Sequence, residues 1–175
     1  MKKGALGLIG VLAMVALVVF AGKARDIYEG SLEARVDALA SIQPGLGTVM
    51  IEYGNRFTDL YFAARGGNWA LAQYQLKEAI EIQEVGEVTR PGKAAMLSTF
   101  ERTYLDPLEE AIETQDWDAF ETRFEEAVAG CNACHAATGY PYIEYTLPEQ
   151  PVEAYLNFNL KTSPTRTLEE EEENE

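Results

Sequence analysis

The chain has 175 residues, 47% of them hydrophobic, which suits one packed domain and is too short for two comfortable ones. Aspartate and glutamate number 29 against 14 lysines and arginines, a formal net charge of -15, which argues against nucleic acid or anionic lipid headgroups as partners and favours solubility or partners with basic patches. The two cysteines and the one histidine fall between Cys131 and His135, so no disulfide other than Cys131–Cys134, no histidine-rich metal site and no Ser-His-Asp triad away from His135 can be built.

Residues 1–24 read as an export signal: Lys2 and Lys3 precede the uncharged, largely apolar run Gly4–Gly22, and Gly22-Lys23-Ala24 offers small residues for cleavage. The run approaches the ~20 residues that span a bilayer, so an uncleaved N-terminal membrane anchor stays open beside a cleaved signal. Either way the rest of the chain is expected outside the cytoplasm, in the periplasm or on the outer face of the cytoplasmic membrane, delivered by the general export route. No lipobox cysteine is present. Residues 25–43 carry Ile27, Leu32, Val36 and Leu39 among mixed charges and read as a short helix or connector.

Four stronger helical segments fill residues 44–147. The first runs from about Pro44, suited to the first helical position, to Arg65, with Gly66-Gly67 as its stop. Its apolar stripe is Leu46, Met50, Tyr53, Phe57, Leu60 and Ala64. The second opens on the cap Asn68 and carries Trp69, Ala72, Leu76 and Ile80 to about Glu87, before Thr89-Arg90-Pro91-Gly92 breaks it. The third, Lys93 to Thr114, aligns Leu97, Phe100, Tyr104, Leu108 and Ala111, and Pro107 should bend or interrupt it. The fourth starts at the cap Asp116 and buries Trp117, Phe120, Phe124, Ala127, Val128 and Cys131, ending at Gly139-Tyr140-Pro141. Asn68-Trp69 and Asp116-Trp117 echo each other, as two similar helical hairpins would, although amphipathic helices also echo by chance. With no sustained strand alternation and short connections, the expected fold is all-α, an antiparallel four-helix bundle. Residues 148–175 turn proline-bearing and end in Glu169–Glu173, Asn174 and Glu175, which reads as an extended, acidic, disordered tail.

Cys131-Asn132-Ala133-Cys134-His135 fits the haem attachment pattern CxxCH. Two thiols add across two vinyl groups of one porphyrin while an imidazole reaches the iron. On a helix, Cys131 and Cys134 stand at i and i+3, and His135 at i+4 from Cys131, so the three share a face. His135 is then the proximal iron ligand of one covalently attached haem c. Three rivals fit less well. A redox CxxC sits at a helix start in an α/β pattern, where the dipole lowers a thiol pKa. Zinc lacks a fourth thiol or imidazole. A structural disulfide leaves His135 unexplained.

For the sixth iron position the residues leave Met50, Met96, Tyr53 or nothing. Met50 lies on the first stripe, where a methionine ordinarily fills core, and Met96 lies beside the third stripe rather than on it. Arg56 and Arg65 could pair with haem propionates, but among so many acids i to i+4 pairing suits them as well. Tyr140, Tyr142 and Tyr145 could cover a haem edge or simply anchor a loop.

Helical architecture with a C-terminal CxxCH resembles the class II, cytochrome c′-like proteins, and most closely a group of small exported monohaem cytochromes. The segments that carry the likeness are Pro44-Gly45-Leu46-Gly47-Thr48-Val49-Met50, Asn68-Trp69 with its helix, and Gly130 to Ile143, within about Pro44 to Leu147. The resemblance implies a haem inside a four-helix bundle, Met50 as the distal ligand as in low-spin members, and a homodimer. Ala136 and Ala137 depart from the basic residue such chains commonly keep after CxxCH.

The leading expectation is an electron carrier with His/Met-ligated haem, not an enzyme, whose redox partners present basic docking surfaces. The alternative is a five-coordinate protein that binds NO or CO in an apolar pocket of Val49, Tyr53 and Phe57. A peroxidase is a weaker third reading, because only tyrosine or carboxylate could serve as its distal acid-base pair.

Overall fold

The computed structural model describes residues 27–164. The leader or anchor expected at 1–24 and the terminal glutamate run lie outside them. The chain divides into two units, one ending at Gln43 and the other beginning at Pro44. The fold class is all-α: among the described residues there is no strand, only an isolated bridge between Asn68 and Thr162. Among them, too, no helix is long and apolar enough to cross a membrane.

In the first unit, α1 spans Leu32–Ser41 and is capped by Ser31, whose Oγ accepts from the Ala34 N–H at 3.2 Å. None of its residues is buried, and Leu32, Val36 and Leu39 are exposed.

The second unit contains α2 (Leu46–Gly66), α3 (Trp69–Thr89), α4 (Pro91–Phe100), α5 (Asp106–Glu113) and α6 (Trp117–Ala137). Helix α2 begins two residues later than Pro44 predicts. Gly45 is the extended N-cap, and its carbonyl accepts from the Thr48 and Val49 N–H groups at 2.9 and 3.3 Å. Its stop is Gly67, at φ 79°, with the Asn68 N–H returning to the Ala63 carbonyl at 2.9 Å. The same device ends α5. Gln115 takes φ 56°, and the Asp116 N–H returns to the Ala111 carbonyl at 3.0 Å. Each turn hands over to a capped tryptophan helix: Asn68 Oδ1 accepts from Leu71 N–H and Asp116 Oδ1 from Ala119 N–H. The sequence echo is thus a repeated turn geometry.

The run predicted over 93–114 is interrupted ahead of Pro107, by a π turn at Glu101–Leu105 between α4 and α5. The Asp106 N–H reaches back five residues to the Glu101 carbonyl. Pro107 has no N–H to donate and its ring would collide with a carbonyl one turn earlier, so the widened turn accommodates it without ending the helical run.

Helix α3 packs against α2, α4 and α5, while α6 packs against α2, α5 and the π turn. The interior is built from Phe57, Leu60, Leu76, Leu105, Leu108, Ile112 and Phe120, all fully buried, each worth about 1.5–3 kcal/mol of transfer free energy. Phe57 stacks on Phe124 at 4.5 Å between ring centroids, and both tryptophans meet Phe120, Trp69 at 6.0 Å and Trp117 at 5.8 Å.

The tail expected from residue 148 is, as far as residue 164, an irregular strap laid on the helices. Phe158 is buried beside Phe62, and Asn68 Nδ2 donates to the Asn157 carbonyl at 2.9 Å. The buried Asp59 carboxylate accepts from the Val152 and Glu153 N–H groups at 2.7 and 3.1 Å. Burial pushes the Asp59 carboxyl above its usual range, opposed by those two backbone donors. Gly66 lies directly beneath the Phe158 carbonyl, and an added Cβ would stand 2.7 Å from its carbon.

Candidate functional site

The last two turns of α6 present Cys131, Cys134 and His135. Cys131 and Cys134 continue the stripe of Phe120, Phe124 and Ala127 at seven-residue spacing, so both thiols follow the buried side of the helix. His135 follows Glu121 and Val128 instead. Those two, with Tyr61, Phe124, Glu125 and Leu147, line an open groove of about 240 Å³ along the same stripe. Gly130 lets the Tyr104 ring from the π turn lie against the helix, since a Cβ there would meet Tyr104 Cε2 at 2.6 Å.

The thiols are not activated. Burial, and then Cys134, push the Cys131 thiol up to about 12. Burial also raises Cys134, against the pull of Lys93. A helix C-terminus gives a thiolate no help. Met96 in α4 points to this site: Cys134 Sγ donates to Met96 Sδ at 3.4 Å. Met50 is half-buried on α2, three residues before Tyr53.

After α6 the chain turns through Gly139, at φ 91°, and folds back over the motif. The Tyr140 N–H donates to the His135 carbonyl at 2.8 Å. Asn132, the first spacer of the motif, clamps one residue from both sides: its Oδ1 accepts from the Tyr145 N–H at 2.8 Å and its Nδ2 donates to the Tyr145 carbonyl at 3.1 Å. The loop so fixed supplies the partner of the histidine. His135 Nδ1 lies 2.8 Å from the Ile143 carbonyl oxygen. A carbonyl can only accept, so Nδ1 carries a proton, and in the neutral ring that leaves the lone pair on Nε2. That is the arrangement by which an imidazole is oriented as a metal ligand.

Tyr145 ties the loop to α2. Thr58 Oγ1 donates to the Gly54 carbonyl at 2.8 Å, so the Tyr145 hydroxyl donates to Thr58 Oγ1 at 2.9 Å. Tyr53 on α2 is buried, and its hydroxyl has no hydrogen-bond partner among the described residues. Tyr140 and Tyr142 are exposed, edge to face at 6.1 Å. Arg56 pairs with Glu52 at 2.8 Å, four residues earlier, and approaches Glu78 at 3.8 Å, while Arg65 is exposed at the end of α2.

The donor set fits a haem c better than a bare ion. Two neutral thiols with an oriented imidazole match two thioether tethers and one iron ligand. Among the described residues, no group of three or more His, Cys, Asp or Glu side chains is arranged to hold a metal ion, as zinc would require. The buried Tyr53 hydroxyl has no hydrogen-bond partner among the described residues, and a bound group with acceptor atoms would complete it.

No family model, curated protein or solved structure matches this chain.

The site's decisive contacts escape sequence reading. Asn132 occupies a position the motif leaves free, and nothing in the pattern marks Ile143 as the carbonyl opposite His135. Met96, beside the stripe, still reaches Cys134 of α6.

Proposed function

We propose that this chain is an exported, acidic, monohaem c-type cytochrome that carries single electrons between protein partners and is not an enzyme. The observation that carries the reading is the contact of His135 Nδ1 with the Ile143 carbonyl, which orients the imidazole of a CxxCH whose two cysteines are not joined to each other. Haem iron supplies reversible one-electron uptake and release. The protein's part is to hold it. Cys131 and Cys134 tether the ring, His135 ligates, and the Ile143 carbonyl and the Asn132 clamp keep the imidazole at one angle. Burial of Cys131 would keep water from that edge of the ring and favour a small reorganisation on electron transfer.

The architecture proposed is an antiparallel four-helix bundle of α2, α3, the run 91–113 and α6. Tight capped turns at Gly67–Asn68 and Gln115–Asp116, and the packing of α2 on both α3 and α6, support it. The class II resemblance remains part of the proposal, and with it Met50 as distal ligand, redox partners with basic docking surfaces, a homodimer, and an extracytoplasmic location with a cleaved leader or retained anchor. A second reading, five-coordinate iron binding NO or CO, draws on the buried apolar face of Val49, Tyr53 and Phe57.

The test is expression in a host with haem-attachment machinery, followed by haem staining on denaturing gels. Wild type should retain haem through denaturation, and the Cys131→Ala/Cys134→Ala double variant should lose it. Wild type without covalent haem in such a host overturns the reading. An optical spectrum that carbon monoxide leaves unmoved supports the electron carrier, and a high-spin spectrum that shifts puts gas binding first.

A further inference from the structure

The Tyr53 hydroxyl is the buried side-chain polar atom that the described residues leave without a partner. A buried O–H with no acceptor costs about 1–3 kcal/mol, so native structures keep one only where another group completes it. Its surroundings offer no acceptor: Phe57 is stacked on it at 5.7 Å and Phe100 stands edge-on at 6.4 Å. Burial foremost, then the charges of Cys131, Tyr145 and Glu101, hold the phenol protonated, as a donor. Glu101 accepts from Gln83 Nε2 at 3.0 Å and the Tyr145 hydroxyl donates to Thr58. Among the described residues none hydrogen-bonds to the Tyr53 hydroxyl. Cys131 is itself a proposed tether, so the group that would arrive beside Tyr53 is the ring bound there.

The two elements face each other, since Phe57, one turn after Tyr53, stacks on Phe124 of α6. His135 would reach the iron from α6, which leaves the opposite side of the ring to α2. We propose that Tyr53 is a positioning residue that donates its hydroxyl hydrogen to the atom bound at the haem iron opposite His135. The inference rests on the haem reading of the site. A positive hydrogen directed at an iron ligand favours the electron-rich reduced form, so Tyr53 raises the reduction potential and steadies whichever ligand, thioether or small molecule, occupies that position.

The experiment compares haem-loaded wild type, Tyr53→Phe and Tyr155→Phe by haem content after denaturation and by redox titration. Tyr53→Phe should keep its covalent haem and lower the potential by the equivalent of about a tenfold change in the reduced-to-oxidised ratio, ~59 mV for one electron. Tyr155→Phe, which removes an exposed hydroxyl that donates to Glu153, should leave the potential near wild type. A second measurement needs no variant: transfer of wild type to D2O should shift the iron–ligand vibration on the side opposite His135. Failure of wild type to take up covalent haem overturns the haem reading itself. A loaded protein in which Tyr53→Phe leaves the potential unchanged, or in which deuterium leaves the vibration unmoved, overturns the role of Tyr53 while the haem reading stands.

Discussion

Gly66→Ala sets helix propensity against tertiary packing. Judged as a helix residue alone, alanine should stabilise the end of α2 by up to ~1 kcal/mol over glycine. The strap reverses the sign. A Cβ at Gly66 would press on the Phe158 carbonyl, and that obstacle is backbone rather than a side chain that can swing away. Residues 157–162 must then lift. Lifting exposes Phe158, worth about 1.5–3 kcal/mol. It also breaks the bonds from Asn68 Nδ2 to the Asn157 carbonyl, from Ala70 N–H to Thr162 Oγ1 and from Thr162 N–H to the Gly67 carbonyl, at 2.9, 3.0 and 3.2 Å, each worth about 0.5–1.5 kcal/mol net. Partial release of the segment, with Phe158 exposed, sets the expected loss at about 2 kcal/mol. Urea unfolding should show a lower midpoint at unchanged slope, and amide exchange should speed up at Thr162 while core amides such as that of Leu76 slow or quicken only with global stability. A Gly66→Ala protein as stable as wild type, with Thr162 still protected, would refute the packing of the strap on α2.

Gln115 sits at φ 56°, where a side chain costs about 1 kcal/mol and glycine does not, so Gln115→Gly should raise Tm by roughly 2–4 °C in a calorimetric scan. Asn132→Ala removes both bonds to Tyr145 and should cost about 1–3 kcal/mol, seen as rapid exchange of the Tyr145 amide; continued protection there would show that the loop holds itself. In the polypeptide with free thiols, Cys131 keeps its proton up to about pH 12 when folded but only to ~8.5 when unfolded. Its contribution to stability is therefore complete below pH ~8.5 and is lost as the pH rises towards the folded value, by at most ~1.4 kcal/mol per unit. Urea midpoints at pH 8 and pH 10 should differ in that direction, and Cys131→Ala should flatten the difference. A thiol reagent should label the less buried Cys134 before Cys131.

Helix starts were legible because they rest on local chemistry. Asn68 and Asp116 are capping residues directly before apolar periodicity, and both cap as their side chains predict. Pro107 announced an interruption for the same reason, while the position of the widened turn, ahead of the proline, depends on how Tyr104 and Leu105 pack. The strap was illegible because irregular chain has no period. Phe158 reads as one aromatic residue in a polar stretch, and Asp59 as one acid on a helix, until the strap laid on α2 removes both from solvent. In the candidate site, CxxCH declared itself by composition and spacing alone. The loop that orients His135 did not, since hydrogen bonding to a backbone carbonyl is blind to the side chain of Ile143.

The π turn at Glu101–Leu105 has a bearing on how this chain should be laid beside others. An α-helix turns about 100° per residue, so one surplus residue in a single turn offsets the faces before and after it by about that angle. Met96 and Leu97 precede that surplus, and Leu108 and Ile112 follow it. A helical chain lacking it would match either half in register but not both, and the correct correspondence opens a one-residue gap between Phe100 and Asp106. Excising one residue there should likewise act as a rotation of α4 about its own axis, carrying Met96 away from Cys134.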